Sequence, residues 1–446
     1  MEFNPSILTD TLPRDEMEMK RSSLMLFLVA VFSINLALAT VSLDPSGGRL
    51  LADDWPQWRG PNRTDVSGEK GLLQSWGADG PQKLWMSEEG GLGYAGFAVV
   101  GDSVYTMGLE VDGDNEFVIC LSAKDGSKKW TANIGQKFEN RWGDGPRATP
   151  TVDGDFCYAM SGKGTLACVS NKNGKVVWTV EMTELGGRVP FWGYCESVLV
   201  DGDNVICTPG GKQGAIAAIN KKSGKVVWQT EDFTDGAQYS SPVKAVINNQ
   251  PQYIQLTMKS LVAVSPENGK VIWKSDWPGR TAVIPTPIVS KNRVYISSGY
   301  KVGCKAVEIS ADNQVKEIYK NDVMTNHHGG VILVNGHLYG YSDSRRNGWT
   351  CQNLDSGEKV WNESKELGKG AIAYADGCFY CVSESKGEVV LLKESKSGWE
   401  EKGRFTLSPQ TKRRKPAGKI WVHPVVANGK LYLRDQEMIY CFDVAK

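Results

Sequence analysis

The stretch Cys168-Val-Ser-Asn-Lys-Asn-Gly-Lys-Val-Val-Trp178 decides the fold, because copies of it recur along the chain. Plain copies span residues 120–130, 218–228, 263–273 and 351–361. Looser copies end at Tyr319 and Phe405, and Trp85 is an aromatic ending with no copy before it. These aromatic endings follow one another at intervals of 42 to 50 residues. A period of this size is typical of a solenoid, a propeller or another repeat array.

Each repeat is composed of short strands. Ahead of each aromatic ending lie two apolar runs joined by a tight turn, as in Val198-Leu-Val-Asp-Gly-Asp-Asn-Val-Ile206. Asp-Gly and Asn-Gly pairs favour hairpin turns because they tolerate positive φ. The recurring segment adds a third strand, a glycine turn and a fourth strand that ends at the aromatic residue. Four short antiparallel strands per repeat predict a propeller blade, and no long stretch shows helical periodicity.

The two ends of the chain predict how the repeats close into a ring. Eight hairpins and eight aromatic endings indicate eight blades, but the last repeat stops at residues 441–446, after its third strand. The missing strand would come from Lys83-Leu-Trp85, and the alternative is an unrelated N-terminal strand. Pairing the termini removes open sheet edges that invite aggregation. We therefore predict an all-β, eight-bladed β-propeller of four-stranded antiparallel blades, closed by its N- and C-terminal strands.

The recurring aromatic residue is interpreted as packing between neighbouring blades rather than as a ligand platform, because it holds the same place in each repeat. Truncating a buried indole to Ala would cost roughly 3–5 kcal/mol. The predicted docking positions are Trp85, Trp130, Trp178, Trp228, Trp273, Tyr319 and Trp361.

The repeated segment resembles the tryptophan-docking motif Ala-x-Asp-x-x-Thr-Gly-Lys-x-x-Trp of the pyrroloquinoline-quinone-like β-propellers. Its Gly-Lys-x-x-Trp half stands intact at residues 174–178, 224–228 and 269–273. The opening Asp53-Asp-Trp-Pro-Gln-Trp-Arg-Gly-Pro61 is similar to the N-terminal segment of secreted members. The resemblance covers roughly residues 53–446 and extends to outer-membrane assembly lipoprotein B and to polyvinyl-alcohol-dehydrogenase-like chains. It implies the fold and leaves the function open, because one fold hosts many functions.

The N-terminal residues resemble an export signal. Lys20 and Arg21 precede an apolar stretch over residues 24–39, which is typical of a cleavable signal, and an uncleaved membrane anchor is the alternative. We predict an export signal over residues 1–39, with Met17 or Met19 as alternative starts, a lead segment over residues 40–80 and the propeller over residues 81–446. The predicted location is the periplasm or the cell surface, with membrane contact only through an uncleaved apolar stretch.

Charge and cysteine content narrow the partners and the chemistry. Lys plus Arg and Asp plus Glu both number 51, and this balance argues against a nucleic-acid partner. Several cysteines open the repeated segment where other copies have Ala, which suits a small buried side chain. A disulfide between Cys157 and Cys168 is an alternative. Cys378 and Cys381 lie three apart, so on a strand they face opposite sides and do not suit a metal.

The family resemblance raises the hypothesis of a quinoprotein dehydrogenase. It implies a quinone on the propeller axis, a wall made by two adjacent cysteines, and Ca²⁺ held by Glu, Asn and Asp. The sequence has no adjacent cysteine pair, and Cys381 is followed by Val382, so the Cys-x-x-Cys-His motif of a c-type haem is also missing. We therefore predict no haem and no cofactor, with pyrroloquinoline quinone and calcium as the disfavoured alternative.

Candidate ligand-binding residues come from the strands and loops nearest the axis. When the first strands of the repeats are aligned, small residues recur at one position, and Glu196 and His423 break that pattern. Such a pair would suit a ligand, although hydrogen-bonded core residues give the same pattern. The loops before these strands add Arg and Trp, which are common in binding hot spots, and two more His. The candidates for the channel and its mouth are Glu196, His423, Arg141, Trp142, Arg147, Trp192, His327 and His328, with no catalytic or metal-ligating set predicted.

The sequence therefore predicts an exported, non-catalytic binding or scaffold protein. Its ring would present one face of loops to a protein, peptide or polysaccharide partner at the cell envelope. The first alternative is a quinoprotein-type oxidoreductase that acts on alcohols or polyvinyl alcohol through an axial cofactor. The second alternative is a metal-dependent enzyme that acts on a polymer.

Overall fold

The computed structural model describes residues 54–345 and 347–446. The predicted export signal and residues 40–53 of the lead segment lie outside these ranges. The described residues contain no helix and form eight four-stranded antiparallel sheets, which are the blades of one propeller. The all-β, eight-bladed fold predicted from the repeats is confirmed.

Seven blades use four consecutive strands, and the eighth combines strands from both ends of the chain. The first strand of the chain is β1 (Lys83–Ser87), and blade 1 follows it with β2 (Ala98–Val100), β3 (Ser103–Leu109), β4 (Asn115–Ser122) and β5 (Lys128–Gln136). Blade 2 has β6 (Thr151–Asp153), β7 (Phe156–Met160), β8 (Thr165–Ser170) and β9 (Val176–Glu181), and blade 3 has β10 (Leu199–Asp201), β11 (Asn204–Cys207), β12 (Ala217–Asn220) and β13 (Val226–Gln229). Blade 4 has β14 (Val243–Ile247), β15 (Gln250–Leu256), β16 (Ser260–Val264) and β17 (Val271–Asp276), and blade 5 has β18 (Ile288–Ser290), β19 (Arg293–Ser298), β20 (Gly303–Ile309) and β21 (Val315–Asn321). Blade 6 has β22 (Val331–Val334), β23 (His337–Ser342), β24 (Gly348–Asn353) and β25 (Lys359–Glu363), and blade 7 has β26 (Gly370–Ala375), β27 (Cys378–Ser383), β28 (Glu388–Lys393) and β29 (Glu401–Thr406). Blade 8 is completed by β30 (Val425–Ala427), β31 (Lys430–Asp435) and β32 (Met438–Asp443).

The ring closes through the predicted pairing of the two termini. Strand β1 lies antiparallel to β32, with Lys83 opposite Phe442 and Trp85 opposite Cys441. Blade 8 therefore takes its outermost strand from the N-terminal side of the chain. Strand β32 is therefore covered by β1 and is not an exposed sheet edge.

The repeated segment positions its tryptophan against the next blade. Trp130 lies opposite Cys120 across β4 and β5, and its indole Nε1 donates to the carbonyl oxygen of Asn171 in blade 2 at 2.9 Å. Equivalent bonds run from Trp178 to Lys221 and from Trp228 to Pro266, both at 3.0 Å. Blades 1, 2 and 3 are thus each attached to the following blade by an aromatic ring and a hydrogen bond.

The glycine of the segment makes room for the ring of the preceding blade. Gly174 has a φ of 73°, and a Cβ at this position would lie 2.7 Å from the Trp130 ring. Both the backbone conformation and the close approach require glycine there. Trp273 departs from the pattern, because its Nε1 donates to Gln252 Oε1 of its own blade at 2.6 Å.

All ten cysteines lie in the described ranges, and none forms a disulfide there. Cys157 lies opposite Val169, and Cys168 lies opposite Tyr158, so the two thiols are one position out of register across their hairpin. Cys378 and Cys381 belong to different apolar clusters, which places them on opposite faces of β27.

The described part of the lead segment crosses the axis and contacts the first strand or loop of successive blades. We call residues 55–67 the plug. Trp55 pairs with Val99 of blade 1, and the carbonyl oxygen of Pro56 accepts from the Val152 amide of blade 2. Further along, Ser67 donates its amide to the Tyr374 carbonyl of blade 7 at 2.8 Å.

Two side chains extend the plug to the blades between these points. Arg63 donates to carbonyl oxygens of blade 3 and the loop before blade 4, and Trp58 donates to Thr286 Oγ1 before blade 5 at 3.0 Å. Arg59, Arg63 and Asp65 all have positive φ, a conformation that side-chain-bearing residues rarely adopt. Buried contacts with the ring must hold the plug in this conformation.

Candidate functional site

The first component of the site is the buried ion pair in the plug. Arg59 Nε donates to Asp65 Oδ2 at 2.6 Å, and Arg59 Nη2 donates to the carbonyl oxygen of Val331 at 2.6 Å. Burial alone would raise the pKa of Asp65, but the charges of Arg59 and His423 outweigh it and hold that pKa below its ordinary value. The carboxylate is therefore ionised inside the ring.

His423 is held by the plug on one side and by a loop on the other. Its Nδ1 lies 3.1 Å from Asp65 Oδ2, and its Nε2 lies 2.8 Å from the carbonyl oxygen of His328. Both partners are hydrogen-bond acceptors, one a carboxylate and the other a backbone carbonyl. The ring also packs against Trp58, with 4.6 Å between centroids.

Above these residues is a pocket of about 220 Å³ that is lined mostly by aromatic side chains. Trp58, Arg59 and His423 contribute from the plug and from blade 8. The aromatic walls are Tyr94, Trp142, Trp192, Tyr239, Tyr300 and Trp421. Arg59 also lines a second hollow together with Arg63 and the first strands of blades 3 to 5, so the plug separates the two spaces.

Six of the eight candidates from the sequence line this pocket, namely Trp142, Arg147, Trp192, His327, His328 and His423. Arg141 lies beside it, with its guanidinium carbon 3.8 Å from the centroid of the Trp142 ring. The structure thus brings seven candidates to one face of the ring.

Glu196 lies elsewhere, inside blades 3 and 4. Its carboxylate accepts from the Thr208 amide at 2.8 Å and from Gln255 Nε2 at 3.0 Å. Burial raises the pKa of Glu196 to about 7. Its neighbours Cys195 and Ser197 line the pocket instead, because successive side chains of an extended segment point to opposite sides.

Sequence reasoning missed the pocket residues that come from other places. Trp58 and Arg59 belong to the motif at residues 53–61, which was interpreted only as a family signature. Tyr94, Tyr239 and Tyr300 lie in connections that showed no recurrent pattern. Tyr94 and Tyr239 each stand four residues before the first strand of a blade, and that spacing was the available signal for these two.

His327 and Tyr300 form a hydrogen-bonded wall, and the His328 ring packs against His327 with 4.3 Å between centroids. His327 Nε2 lies 2.7 Å from the Tyr300 hydroxyl, and Lys369 Nζ lies 2.9 Å from His327 Nδ1. Burial, together with the nearby charge of Lys369, lowers the pKa of His327 to about 3. Burial followed by the charges of His327 and Lys369 places the pKa of His328 well below its ordinary value. Both imidazoles are therefore neutral near pH 7.

The Lys369 ammonium fixes the tautomer of His327. Lys369 also pairs with Asp343 Oδ2 at 2.7 Å, so it acts as a donor to Nδ1. A neutral imidazole that accepts at Nδ1 carries its proton on Nε2. His327 therefore donates to the Tyr300 oxygen, which leaves the phenol hydrogen for another acceptor.

Arg147 contributes a positive charge to the opposite wall. Its Nη1 and Nη2 donate to the carbonyl oxygens of Gly145 and Gly143 at 2.6 and 2.7 Å. Its guanidinium carbon lies 5.0 Å from the Phe138 centroid and 5.5 Å from that of Tyr94. Within the described ranges no carboxylate forms an ion pair with Arg147.

The mouth of the pocket carries an aromatic cluster that we call the rim, formed by Arg141, Trp142, Phe191 and Trp192. Phe191 is 68% exposed, an unusual value for a large apolar side chain. Its ring centroid lies 4.8 Å from that of Trp192, and Trp142 lies 5.5 Å from Trp192. The rim is an aromatic surface, bordered by Arg141, that faces solvent.

Comparisons with known proteins identify the repeat. The family model described as outer membrane protein assembly factor BamB matches residues 114–363, which is more than half of the chain. The chain belongs to this family. A comparison with curated proteins gave no match.

Solved structures share the ring at low sequence identity. BamB from Moraxella catarrhalis is 16% identical with a TM-score of 0.55, over 78% of this chain and 93% of that chain. Quinohemoprotein alcohol dehydrogenases from Pseudomonas putida HK5 and Comamonas testosteroni are each 12% identical with a TM-score of 0.58. They cover 88% of this chain and 80% and 81% of their own. These similarities confirm the resemblance to pyrroloquinoline-quinone-like propellers and establish the fold alone.

The pocket residues do not fit a quinone that is held together with calcium. Calcium takes oxygen ligands, chiefly carboxylates, and none of the described residues that line the pocket is Asp or Glu. Cys195 is the single cysteine of that lining. Across residues 54–345 and 347–446, no group of three or more His, Cys, Asp or Glu side chains is placed to hold a metal ion. In the same ranges, no helix is long and apolar enough to cross a membrane.

Proposed function

We propose that this protein is an exported binding protein that captures a protein or polysaccharide partner on the loop face of the ring. The observation that carries the proposal is the exposed rim above a pocket whose other end is closed by the plug. A partner would lie across the rim and insert one projecting group into the pocket.

The composition of the rim supports partner binding. Trp and Arg are enriched among residues that dominate binding energy, and such residues cluster around well-packed pockets. Arg141 stacks on Trp142, and Phe191 and Trp192 meet edge to face, so little side-chain entropy remains to be lost on association. Most of the ring buries its aromatic residues between blades, so this exposed group needs a separate explanation.

The titratable groups of the pocket support binding rather than acid–base chemistry. The two nitrogens of His423 face Asp65 and a backbone carbonyl, and His327 is fixed between Tyr300 and Lys369. A general acid or base needs a free nitrogen with a pKa near the working pH. These imidazoles instead shape the wall and orient its donors.

The envelope as the site of action rests on the family and on the N-terminal sequence. The family description names a factor that assembles outer membrane proteins, which favours a protein partner at the envelope. N-terminal sequencing of the protein recovered from a native envelope fraction tests export. A mature start shortly after residue 39 or residue 52 supports it, and an intact residue 1 in a cytoplasmic fraction contradicts it.

Partner capture is tested with a triple variant of the rim and a double variant that serves as its control. Arg141→Ala, Trp142→Ala and Phe191→Ala together should abolish pull-down of the partner from envelope extract while the unfolding temperature stays near that of the parent. Val177→Ser and Val227→Ser form the control, because these exposed valines lie on outer strands away from the rim. Equal capture by the rim variant and the control would contradict the proposal.

A further inference from the structure

We propose that the pocket binds a six-membered ring that carries a carboxylate. This inference rests on the proposed function, since it specifies the projecting group that the pocket receives. The same chemistry is found in an acidic sugar residue of a polysaccharide and in a free aromatic acid.

The size of the pocket suits one substituted ring. Its volume is about 220 Å³. A dry cavity of roughly 150 Å³ takes up benzene. The pocket therefore has room for one six-membered ring with a small polar substituent, and the plug prevents a longer group from passing along the axis.

The walls offer flat apolar faces to such a ring. Trp58, Trp142, Trp192 and Trp421 contribute indoles, and Tyr94 packs against Trp421 with 4.9 Å between centroids. Aromatic side chains present large apolar surfaces with little conformational freedom. A ring can lie against them whether it is an aromatic ring or the apolar face of a sugar.

The polar groups of the pocket are donors. The Tyr300 hydroxyl accepts from His327 and keeps its own hydrogen, as argued above. Ser197 Oγ accepts from the Thr149 amide at 2.8 Å, and Ser241 Oγ accepts from the Ser197 amide at 3.0 Å. Each of these three hydroxyls can still donate one hydrogen bond. A ligand that satisfies them must be rich in acceptors.

The charge of the pocket selects an anion among such ligands. Arg147 bonds to backbone carbonyls without a carboxylate partner in the described ranges, and no Asp or Glu lines the pocket. A cation would meet this guanidinium without a carboxylate in the pocket lining to offset it. A carboxylate would accept from the hydroxyls and face the guanidinium, as charge-assisted hydrogen bonds favour.

A strained turn places Tyr300 in this position. Tyr300 and Lys301 have φ values of 56° and 63°, and the Val302 amide donates to the Gly299 carbonyl across them. Hairpin turns with two positive φ values favour Asn-Gly, and bulky residues are outliers there. Strained residues of this kind cluster at ligand clamps. The fold thus holds a tyrosine at a turn position that normally favours asparagine or glycine. The hydroxyl of this tyrosine is the one whose hydrogen is free to bind a ligand.

Calorimetric titration of the mature protein with sodium D-glucuronate and sodium benzoate tests the inference. D-glucose and benzyl alcohol serve as uncharged analogues. At least one acid should bind with a dissociation constant of about 1 mM or tighter and about tenfold more tightly than its analogue. The sugar acid binding more tightly indicates a polysaccharide source, and benzoate binding more tightly indicates a free aromatic acid.

Two variants and one control accompany the titration. Tyr300→Phe keeps the aromatic ring and should weaken the binding of the acid about tenfold. Arg147→Gln should weaken that binding at least as much. Tyr341→Phe changes a half-buried tyrosine outside the pocket and should leave binding unchanged. Absence of binding by both acids, equal binding of the analogues, or an unchanged affinity in both variants would overturn the inference. Partner capture that persists with any of these results would leave the proposed function standing.

Discussion

Asp65 is the residue on which the plug depends most. One carboxylate faces the Arg59 guanidinium and the His423 ring, and all three side chains are buried. A buried charge is costly without its partner, because the interior does not replace the lost solvation. The histidines of the wall are neutral because burial lowers their pKa values, whereas Asp65 is ionised because the charges of Arg59 and His423 outweigh the effect of its burial.

Replacing Asp65 with Asn should lower the free energy of unfolding by about 3–5 kcal/mol, because Arg59 would remain buried without its counter-charge. Asp355→Asn is the matched control, since Asp355 pairs with Arg293 on the surface with a side chain that is 75% exposed. The control should cost less than about 1 kcal/mol. Chemical unfolding of both variants measures the difference, and equal losses would contradict the role assigned to the plug.

Glu196 makes the stability of the ring depend on pH. Burial raises its pKa from 4.5 to about 7, so the folded state binds this proton more tightly than the unfolded state. The free energy of unfolding should therefore fall as the pH rises from about 4.5 to about 7, by on the order of 3 kcal/mol from this group.

Glu196→Gln should make that dependence shallower. Some of the slope should remain, because burial also raises the pKa of Glu116 and of Glu384. Unfolding curves of the parent and the variant at pH 5, 6 and 7 give the comparison. An identical slope in both proteins would show that Glu196 does not titrate in this window.

The position of Glu196 also shows what a sequence can give at this scale. The alignment of first strands placed Glu196 and His423 at equivalent positions near the axis, and the structure places only His423 in the pocket. A shift of one residue exchanges the two faces of an extended segment. A sequence pattern predicts where a strand lies. It does not predict which side chains face the pocket when small residues occur on both faces of the segment.

At the scale of elements, the glycine of each repeated segment carries the contact between blades. Gly174→Ala should destabilise the ring by about 2–4 kcal/mol, because its φ is positive and the new methyl group would meet the Trp130 ring. Gly101→Ala is the control, since it also has positive φ but no atom within 4 Å of the new Cβ. It should cost only about 1–2 kcal/mol.

The difference between the two glycine variants isolates the packing of Trp130 against blade 2. Thermal unfolding monitored by circular dichroism gives both values under one set of conditions. A Gly174 variant that is no less stable than the Gly101 variant would mean that the docking contact contributes nothing.

Elements were the most predictable level of this structure. The apolar runs quoted from residues 198–206 were predicted to form a hairpin, and β10 and β11 lie there with their turn between Asp201 and Asn204. The conformation of a hairpin turn depends on the residues within it, so Asn-Gly and Asp-Gly pairs predict the turn directly. The aromatic period is equally local, since each tryptophan has to reach only the next blade.

At the scale of the whole molecule, the N-terminal strand closes the ring. A chain that starts at residue 88 lacks β1 and should aggregate, because β32 becomes an unpaired edge. A chain that starts at residue 81 keeps β1 and, like the chain from residue 88, lacks the plug, so it is the control. Size-exclusion chromatography with light scattering should show a defined species for the control only. A well-behaved species from both chains would contradict closure by β1.

The plug was beyond sequence reasoning for a physical reason. Trp58 and its partner Thr286 are 228 positions apart, and Arg59 reaches Val331 across 272. Neither contact leaves a periodic trace, because each joins a single segment to a different blade. The residues that close the pocket could therefore be identified only from the folded ring, which brings them together.

We infer that this protein binds its partner at the pocket that lies under the rim and is closed by the plug. A crystal structure of the protein purified from its native source with its partner tests this most directly. We expect a ring-shaped group between Trp58 and Tyr300, in contact with Arg147 and ending at the plug. A partner bound on the outer strands near Val177 and Val227, with the pocket holding only water, would contradict it.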